Sequence, residues 1–346
     1  MIKLMDTKTA LRRAKLLAYQ QIADRASVDL YFLCSQILGY DIIEPFAHGP
    51  LCAATRPLLF WKNKDEAKKH VFPTDFGRSE EEGMPDEAEL EEFYKRTEKF
   101  IPGDTYSVKD KQEMSLHELM ALMPRGTLKS SCVTIGFTIQ FLLNHRDARV
   151  LIDSETFTKA TAFIKEIKGH LEGNEVLREI WMAKWGVYPD QNKRSNTWSD
   201  SSLVLAHRVT SKKEPSIEAS GIDVTKNGMH YDLIIFDDLH SEVNTQTKDQ
   251  IDKAINHFKL AYSLLDPDCP VIVIGTRWTY TDLYQYIIDE RSDSFNFITR
   301  AAKSSDGELL YPGRLTVTFL EKQRKGQGSY IFSCQYMNNP VDEETA

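Results

Sequence analysis

Three short apolar runs constrain this chain more than any other feature. Val150-Leu151-Ile152, Leu233-Ile234-Ile235-Phe236 and Val271-Ile272-Val273-Ile274 contain no polar residue. A strand with one wet face alternates apolar and polar residues, so an unbroken run must be covered on both faces. Stretches with helical spacing of apolar residues lie between and around the runs, at 132–143, 156–171, 248–265 and 280–290. Strands alternating with helices of this length predict an α/β fold, a mostly parallel central sheet flanked by helices. Shorter strands are expected at 203–207, 216–219 and 295–300, and 174–200 reads as polar and irregular.

Upstream, 7–39 carries apolar residues at helical spacing, and 42–61 continues as an aromatic-rich helical segment. The stretch 62–105 reads as a solvated insertion with one helix near 86–99. The expected organisation is an N-terminal helical region with an acidic insertion over 1–105, an α/β core over 106–303, and a small C-terminal subdomain over 304–346. At 346 residues there is ample chain for a large core.

The net charge of −8 is local. Residues 80–92 hold eight acids and no base, and the rest of the chain is formally neutral. Overall charge therefore neither favours nor excludes nucleic acid as a partner. No run is long enough to span a membrane, and the first residues lack a secretory apolar core. Cys34, Cys52, Cys132, Cys269 and Cys334 lie far apart and form no metal-type pair, which predicts a reduced protein without a disulfide framework.

Open parallel sheets bind ligands at the carboxyl ends of their strands. Three features converge there. Met123-Pro124-Arg125-Gly126-Thr127-Leu128-Lys129-Ser130-Ser131 follows an apolar stretch, Leu116 to Met123, and precedes an apolar helix. A turn that exposes backbone N–H groups, a Lys and a hydroxyl at a helix N-terminus is what a polyphosphate needs. Asp237-Asp238 ends the second run, and Gly275-Thr276-Arg277-Trp278 ends the third. Phosphoryl transfer uses these parts together, because charge must be cradled, a metal held and a water oriented. The candidate phosphate-binding residues are Pro124 to Ser131, with Lys129 on the β- and γ-phosphates. Ser130, with Ser131 as neighbour or substitute, and Asp237 are the candidate Mg²⁺ ligands. Asp238 is the favoured water-orienting base and Glu242 its rival. Arg125 could touch the γ-phosphate within the chain. Arg277, Arg208, Arg300 and Arg314 are open candidates for an arginine supplied to a neighbouring copy. No zinc-binding helix or serine-hydrolase elbow is present; His117-Glu118 lacks a second His.

The loop resembles the deviant phosphate-binding motif of tailed-bacteriophage terminase large subunits. Met229 to Leu239 is similar to that family's acid-bearing strand. Ile274-Gly275-Thr276-Arg277-Trp278, with Asp282-Leu283-Tyr284, resembles its coupling motif, and Phe332, Gln335-Tyr336 and Asn338-Asn339-Pro340 resemble the end of its ATPase region. These blocks cover roughly 120–340. Pro45-Phe46-Ala47-His48 resembles an N-terminal motif on the adenine side. Leu128 departs from the family by replacing Gly or a small residue before the Lys, and Asp238 stands where many members carry Glu.

The resemblance implies a P-loop NTPase of the ASCE type with a C-terminal lid, using ATP and Mg²⁺. It implies a motor for double-stranded DNA, contacted without sequence preference, with portal protein and small terminase subunit as partners. A homo-oligomeric ring, a pentamer by resemblance, would work in the cytoplasm of an infected bacterial host, away from membranes. Gly275, Thr276 and Arg277 would couple hydrolysis to movement. The family's nuclease domain follows the Asn-Pro linker, so no DNA cleavage is expected from this chain. The alternatives are a helicase-type ATPase and a non-hydrolysing DNA-binding or assembly module.

Overall fold

The computed structural model describes residues 2–69, 87–102, 117–193, 197–224, 226 and 228–340. Most of the acidic block, the strand approach at Leu116 and the terminal acids Asp342, Glu343 and Glu344 lie outside the described residues.

The N-terminal region is helical: α1 (Ile2–Val28), α2 (Leu30–Phe32) with a π-helical continuation over Leu33–Ile37, α3 (Pro45–Leu59), α4 (Lys64–Lys69) and α5 (Glu87–Glu98). The long helix expected over 7–39 is broken at Asp29, whose extended backbone and side chain cap α2 by accepting from Phe32 N–H. The core begins with β1 (Glu118–Leu122), whose exit loop leads to a π-helical turn (Ser131–Phe137) and α6 (Thr138–Asn144). Next come β2 (Val150–Ser154), α7 (Phe157–Gly173) and α8 (Glu175–Trp185). Then follow β3 (Ser202–Leu203), β4 (Ile217–Gly221), β5 (Leu233–Asp237), α9 (Lys248–Tyr262), β6 (Val271–Gly275), α10 (Leu283–Glu290) and β7 (Asn296–Thr299). Two helices close the described chain, α11 (Val317–Gln327) and α12 (Ser329–Met337).

Helix α8 corrects the irregular reading of 174–200. Asn174 caps its start by accepting from Leu177 N–H, and Gly186 ends it in the left-handed conformation at φ +72°. Leu177, Ile180 and Trp181 supply the buried face.

The seven strands form one sheet in the order β3-β4-β2-β5-β6-β1-β7. Every pairing is parallel except the short β3-β4 edge. The fold is thus α/β with a mostly parallel sheet flanked by helices, and β6 stands between the loop strand β1 and the acid-bearing strand β5. Along β5, Leu233 and Ile235 join the larger apolar core, built with the N-terminal helices, α6, α7 and α8. Ile234 and Phe236 join the smaller core under α9 and α10. That double coverage is why the run tolerates no polar residue.

Cys34, Cys52 and Cys132, scattered in sequence, are brought together. All three are buried behind the loop helix, where the Cys34 thiol donates to the Cys132 carbonyl at 3.9 Å. Separations of 18 and 80 residues concealed this, because the contact forms only when α2 and α3 pack on the core.

Two imidazoles are buried neutral. His145 lies against Phe141 with Nε2 2.9 Å from the Leu59 carbonyl, and burial pushes it down to about 4. His207 accepts from Trp181 Nε1 at 3.1 Å, stacks on Trp185, and is likewise pushed down to about 4 by burial. The unfolded chain takes up these protons near pH ~6.5 and the folded chain only near 4, so stability falls as pH falls through this window. The loss is expected to reach about 3 kcal/mol per imidazole, read from urea denaturation at stepped pH. His145→Gln should remove one share of the slope; a flat profile between pH ~6.5 and ~4 would contradict buried neutral imidazoles.

Candidate functional site

The loop runs from the end of β1 to Lys129, where the helix begins. Met123 N–H donates to the Gly275 carbonyl at 3.3 Å, which ties the loop's start to the end of β6. Thr127 folds back on Pro124, its hydroxyl donating to the Pro124 carbonyl at 2.7 Å. Gly126 and Leu128 both have positive φ, +84° and +55°. The first helical bond runs from Cys132 N–H to the Leu128 carbonyl at 3.0 Å. The N–H groups ahead of it have no partner within the helix and form an anion-binding end.

Leu128 therefore holds a backbone shape that glycine adopts freely, at a cost of roughly 1–2 kcal/mol for an L-residue. It persists because the side chain packs against the core. Leu128→Ala loses that packing and keeps the strain, whereas Leu128→Gly loses the packing and relieves it. The Gly variant is expected to be more stable than the Ala variant by about 1 kcal/mol in urea denaturation, the reverse of their order inside a helix. Ala equal to or above Gly would show that the loop carries no such strain.

The loop meets β5 directly. Lys129 Nζ lies 3.2 Å from Asp238 Oδ2, and Ser130 Oγ donates to Asp237 Oδ1 at 3.1 Å. Thr134 Oγ1, which sequence reading missed, donates to Asp237 Oδ2 at 2.5 Å. Ser154, at the end of β2, donates to the Asp237 carbonyl at 2.7 Å. Asp237 is fully buried, and burial together with the Asp238 charge raises its carboxyl to about 7 against the opposing pull of Lys129 and the two hydroxyls. Asp238 sits at φ +47°, a conformation that Asp tolerates better than most residues. Its Oδ1 is buried and without a hydrogen-bond partner in the structure, although the side chain is 36% exposed.

Other candidates are placed differently. Glu242 is exposed on the turn after β5. Glu155, at the exit of β2, was missed; it accepts from Ser241 Oγ and pairs with Lys159. Ser131 lies one residue past Ser130 at the start of the π-helical turn. Arg125 is exposed and anchored on α12, its N–H donating to the Gln335 carbonyl at 2.9 Å and its guanidinium to Gln335 Oε1 at 3.2 Å. Arg314 is exposed beside Gly126. Arg208 is spent on the carbonyls of Thr210 and Glu214, away from the loop.

Arg277 is buried and fully engaged. It pairs with Asp282 at 3.0 Å and bonds the Thr279 carbonyl and Gln285 Oε1. The structure does not present it to a neighbouring copy; it binds the end of β6 to α10. Thr276 beside it is buried. Arg300 is half-buried, its guanidinium donating to the Thr299 carbonyl at 2.9 Å with no acid partner at hydrogen-bond distance among the described residues, and desolvation lowers it to about 10.

His48 links the N-terminal helices to the loop. It is fully buried, with Nε2 2.9 Å from the Thr127 carbonyl and Nδ1 accepting from Glu44 N–H at 2.9 Å.

Among solved structures, the chain is similar to phage large terminases. The ATPase domain of the Thermus phage P74-26 large terminase is 14% identical with a TM-score of 0.42, over 72% of this chain and 98% of that one. The large terminase of the thermophilic bacteriophage D6E is 11% identical with a TM-score of 0.36, over 69% and 50%. The HK97 bacteriophage large terminase is 14% identical with a TM-score of 0.39, over 65% and 47%. The chain spans about half the length of the D6E protein. No protein-family model matches the chain, and no curated protein matches it. At these scores the chemistry rests on the chain's own residues.

Proposed function

We propose that this chain is an ATP-hydrolysing motor domain that drives double-stranded DNA into a viral procapsid, as in a terminase large subunit. The observation that carries the hydrolytic reading is the meeting of Lys129 and Ser130 with Asp237 and Asp238 at the carboxyl ends of β1 and β5. Lys129 and the N–H groups at the start of its helix hold the β- and γ-phosphates. Arg125, tethered to α12, joins them from the loop's outer side, and binding of the nucleotide recruits its charge.

Mg²⁺ fits the donor set. Ser130 Oγ and Asp237 Oδ1, a hydroxyl and a carboxylate oxygen 3.1 Å apart, would hold it, the hard oxygen ligands that Mg²⁺ takes. Bound there, the ion would neutralise charge on the phosphates. Asp238 orients the attacking water through Oδ1, the buried oxygen that lacks a donor. Gly275, Thr276 and Arg277 couple the site to movement, since the Gly275 carbonyl holds the loop and Arg277 holds α10. Arg314 or Arg300 is left as the arginine available near the nucleotide or to a neighbour in a ring.

Motif resemblance supplies the DNA, portal and small-subunit partners, the ring and the host cytoplasm. No helix among the described residues is long and apolar enough to cross a membrane. The test is ATP turnover by purified protein with duplex DNA of unrelated sequences. Turnover stimulated equally by each, and lost steeply as salt rises, is expected from contacts to phosphates. Absence of turnover rejects the ATPase; salt-insensitive or sequence-specific stimulation rejects the DNA reading.

A further inference from the structure

Asp238 follows directly on β5 and turns the chain out of the sheet at φ +47°. Its own N–H donates to the Ile274 carbonyl at 2.9 Å, which fixes the turn on its strand side. A left-handed residue that carries a side chain keeps its conformation only where the surroundings hold both flanks. The other flank is held by His240, two residues on, a side chain that neither the motifs nor the proposed chemistry uses.

His240 is buried. Its Nε2 lies 2.9 Å from the N–H of Leu283, the first residue of α10. A backbone N–H can only donate, so Nε2 is the bare nitrogen and the proton sits on Nδ1. Nδ1 faces Asn244 Oδ1 at 3.2 Å. The Asn244 amide is itself oriented, since Oδ1 also accepts from Ser241 N–H at 2.8 Å and Nδ2 donates to the Leu239 carbonyl at 2.7 Å. Both partners therefore require the same tautomer, and burial pushes the imidazole down, which keeps it neutral. The ring of Tyr284 meets the imidazole edge-on, with centroids 6.0 Å apart.

The anchor at the far end is rigid. Asp282 and Leu283 are fully buried. Asp282 accepts from Gln285 N–H at 2.9 Å and from Trp278 N–H at 3.1 Å, and it pairs with Arg277 at 3.0 Å. The Leu283 N–H has no acceptor within its own helix, and His240 supplies one.

We propose that His240 is a positioning residue for Asp238. By accepting from Leu283 N–H it fixes the chain that leaves the strained turn, and so holds the Asp238 carboxylate at the nucleotide site. The proposal rests on the reading of this chain as an ATPase whose water is oriented by Asp238. His240 itself touches neither nucleotide nor water.

Two substitutions divide the ring, because Asn places its carboxamide near Nδ1 and Gln near Nε2. His240→Asn leaves Leu283 N–H without its acceptor, whereas His240→Gln offers it Oε1. Single-turnover hydrolysis at saturating ATP is measured beside nucleotide affinity. His240→Asn should lower the rate about ten- to hundredfold with affinity unchanged, the effect of misplacing a reacting group. His240→Gln should recover most of that loss. In an Asp238→Asn background His240→Asn should cost nothing further, since it acts through that carboxylate. Equal rates for wild type and His240→Asn, or the full loss repeated in the Asp238→Asn background, overturn the proposal. If His240→Asn fails to fold, Asn244→Ala on the half-buried turn decides the matter. It frees the tautomer and the turn together and should lower the rate at least about threefold, again only while Asp238 is present; an unchanged rate overturns the proposal. Wild-type protein without turnover rejects the ATPase reading and the proposal with it, whereas an active wild type matched by His240→Asn overturns the proposal alone.

Discussion

Asp238→Asn is expected to lower kcat for ATP by roughly 10²–10⁴ while ATP affinity changes little. The amide keeps the shape of the side chain and can still accept from Lys129, so the loop should stay in place. It loses the negative charge that draws a proton from water. Because Asp238 sits in the left-handed region, larger replacements would disturb the turn as well, and Asn, among residues with a side chain, tolerates that backbone well. Single-turnover hydrolysis alongside equilibrium binding of a fluorescent nucleotide separates the two effects. If Asp238→Asn turns over normally and Glu242→Gln does not, the catalytic role passes to Glu242 and the exposed turn after β5 must close on the nucleotide.

Gly275→Ala is the second large effect. A Cβ at Gly275 would lie 1.9 Å from Tyr284 Oη and 2.3 Å from its Cζ. Tyr284 is fully buried in the core beneath α10 and has no room to withdraw. Overpacking of this kind costs about 1–3 kcal/mol. Relief by displacement of β6 would carry Met123 with it, because the Gly275 carbonyl accepts from Met123 N–H. Stability and ATP turnover should therefore fall together. Tyr284→Leu added to Gly275→Ala should restore part of both, a coupling that a double-mutant cycle measures. A fully stable Gly275→Ala protein would show that the strand end and the tyrosine are not in contact.

Much of the α/β core was legible because its strands are buried on both faces. Leu233–Phe236 and Val271–Ile274 have no polar interruption, and each ends in residues unlike its interior. The convergence of Lys129, Ser130, Asp237 and Asp238 was legible for the same reason, since parallel strands deliver their exits to one edge. What escaped was long-range packing. Thr134 sits one helical turn past Ser130 and looks like any core threonine until Asp237 is placed beside it. Arg277 reads as a mobile cation until Asp282, five residues on, is seen to bury it. Helix α8 escaped because its polar surround masked a short apolar stripe. The thiol cluster escaped because its members come from three separate elements.

Asn338 takes the left-handed conformation at the end of α12. Its Oδ1 accepts from Arg277 N–H at 3.1 Å, and its Nδ2 donates to the Arg300 carbonyl at 2.8 Å. One side chain thus bolts the departing polypeptide to the exits of both β6 and β7. Tension applied to the chain after residue 338 would load those two bonds at once and, through β6, reach the loop that the Gly275 carbonyl holds at Met123, making this asparagine a mechanical anchor as much as a helix cap.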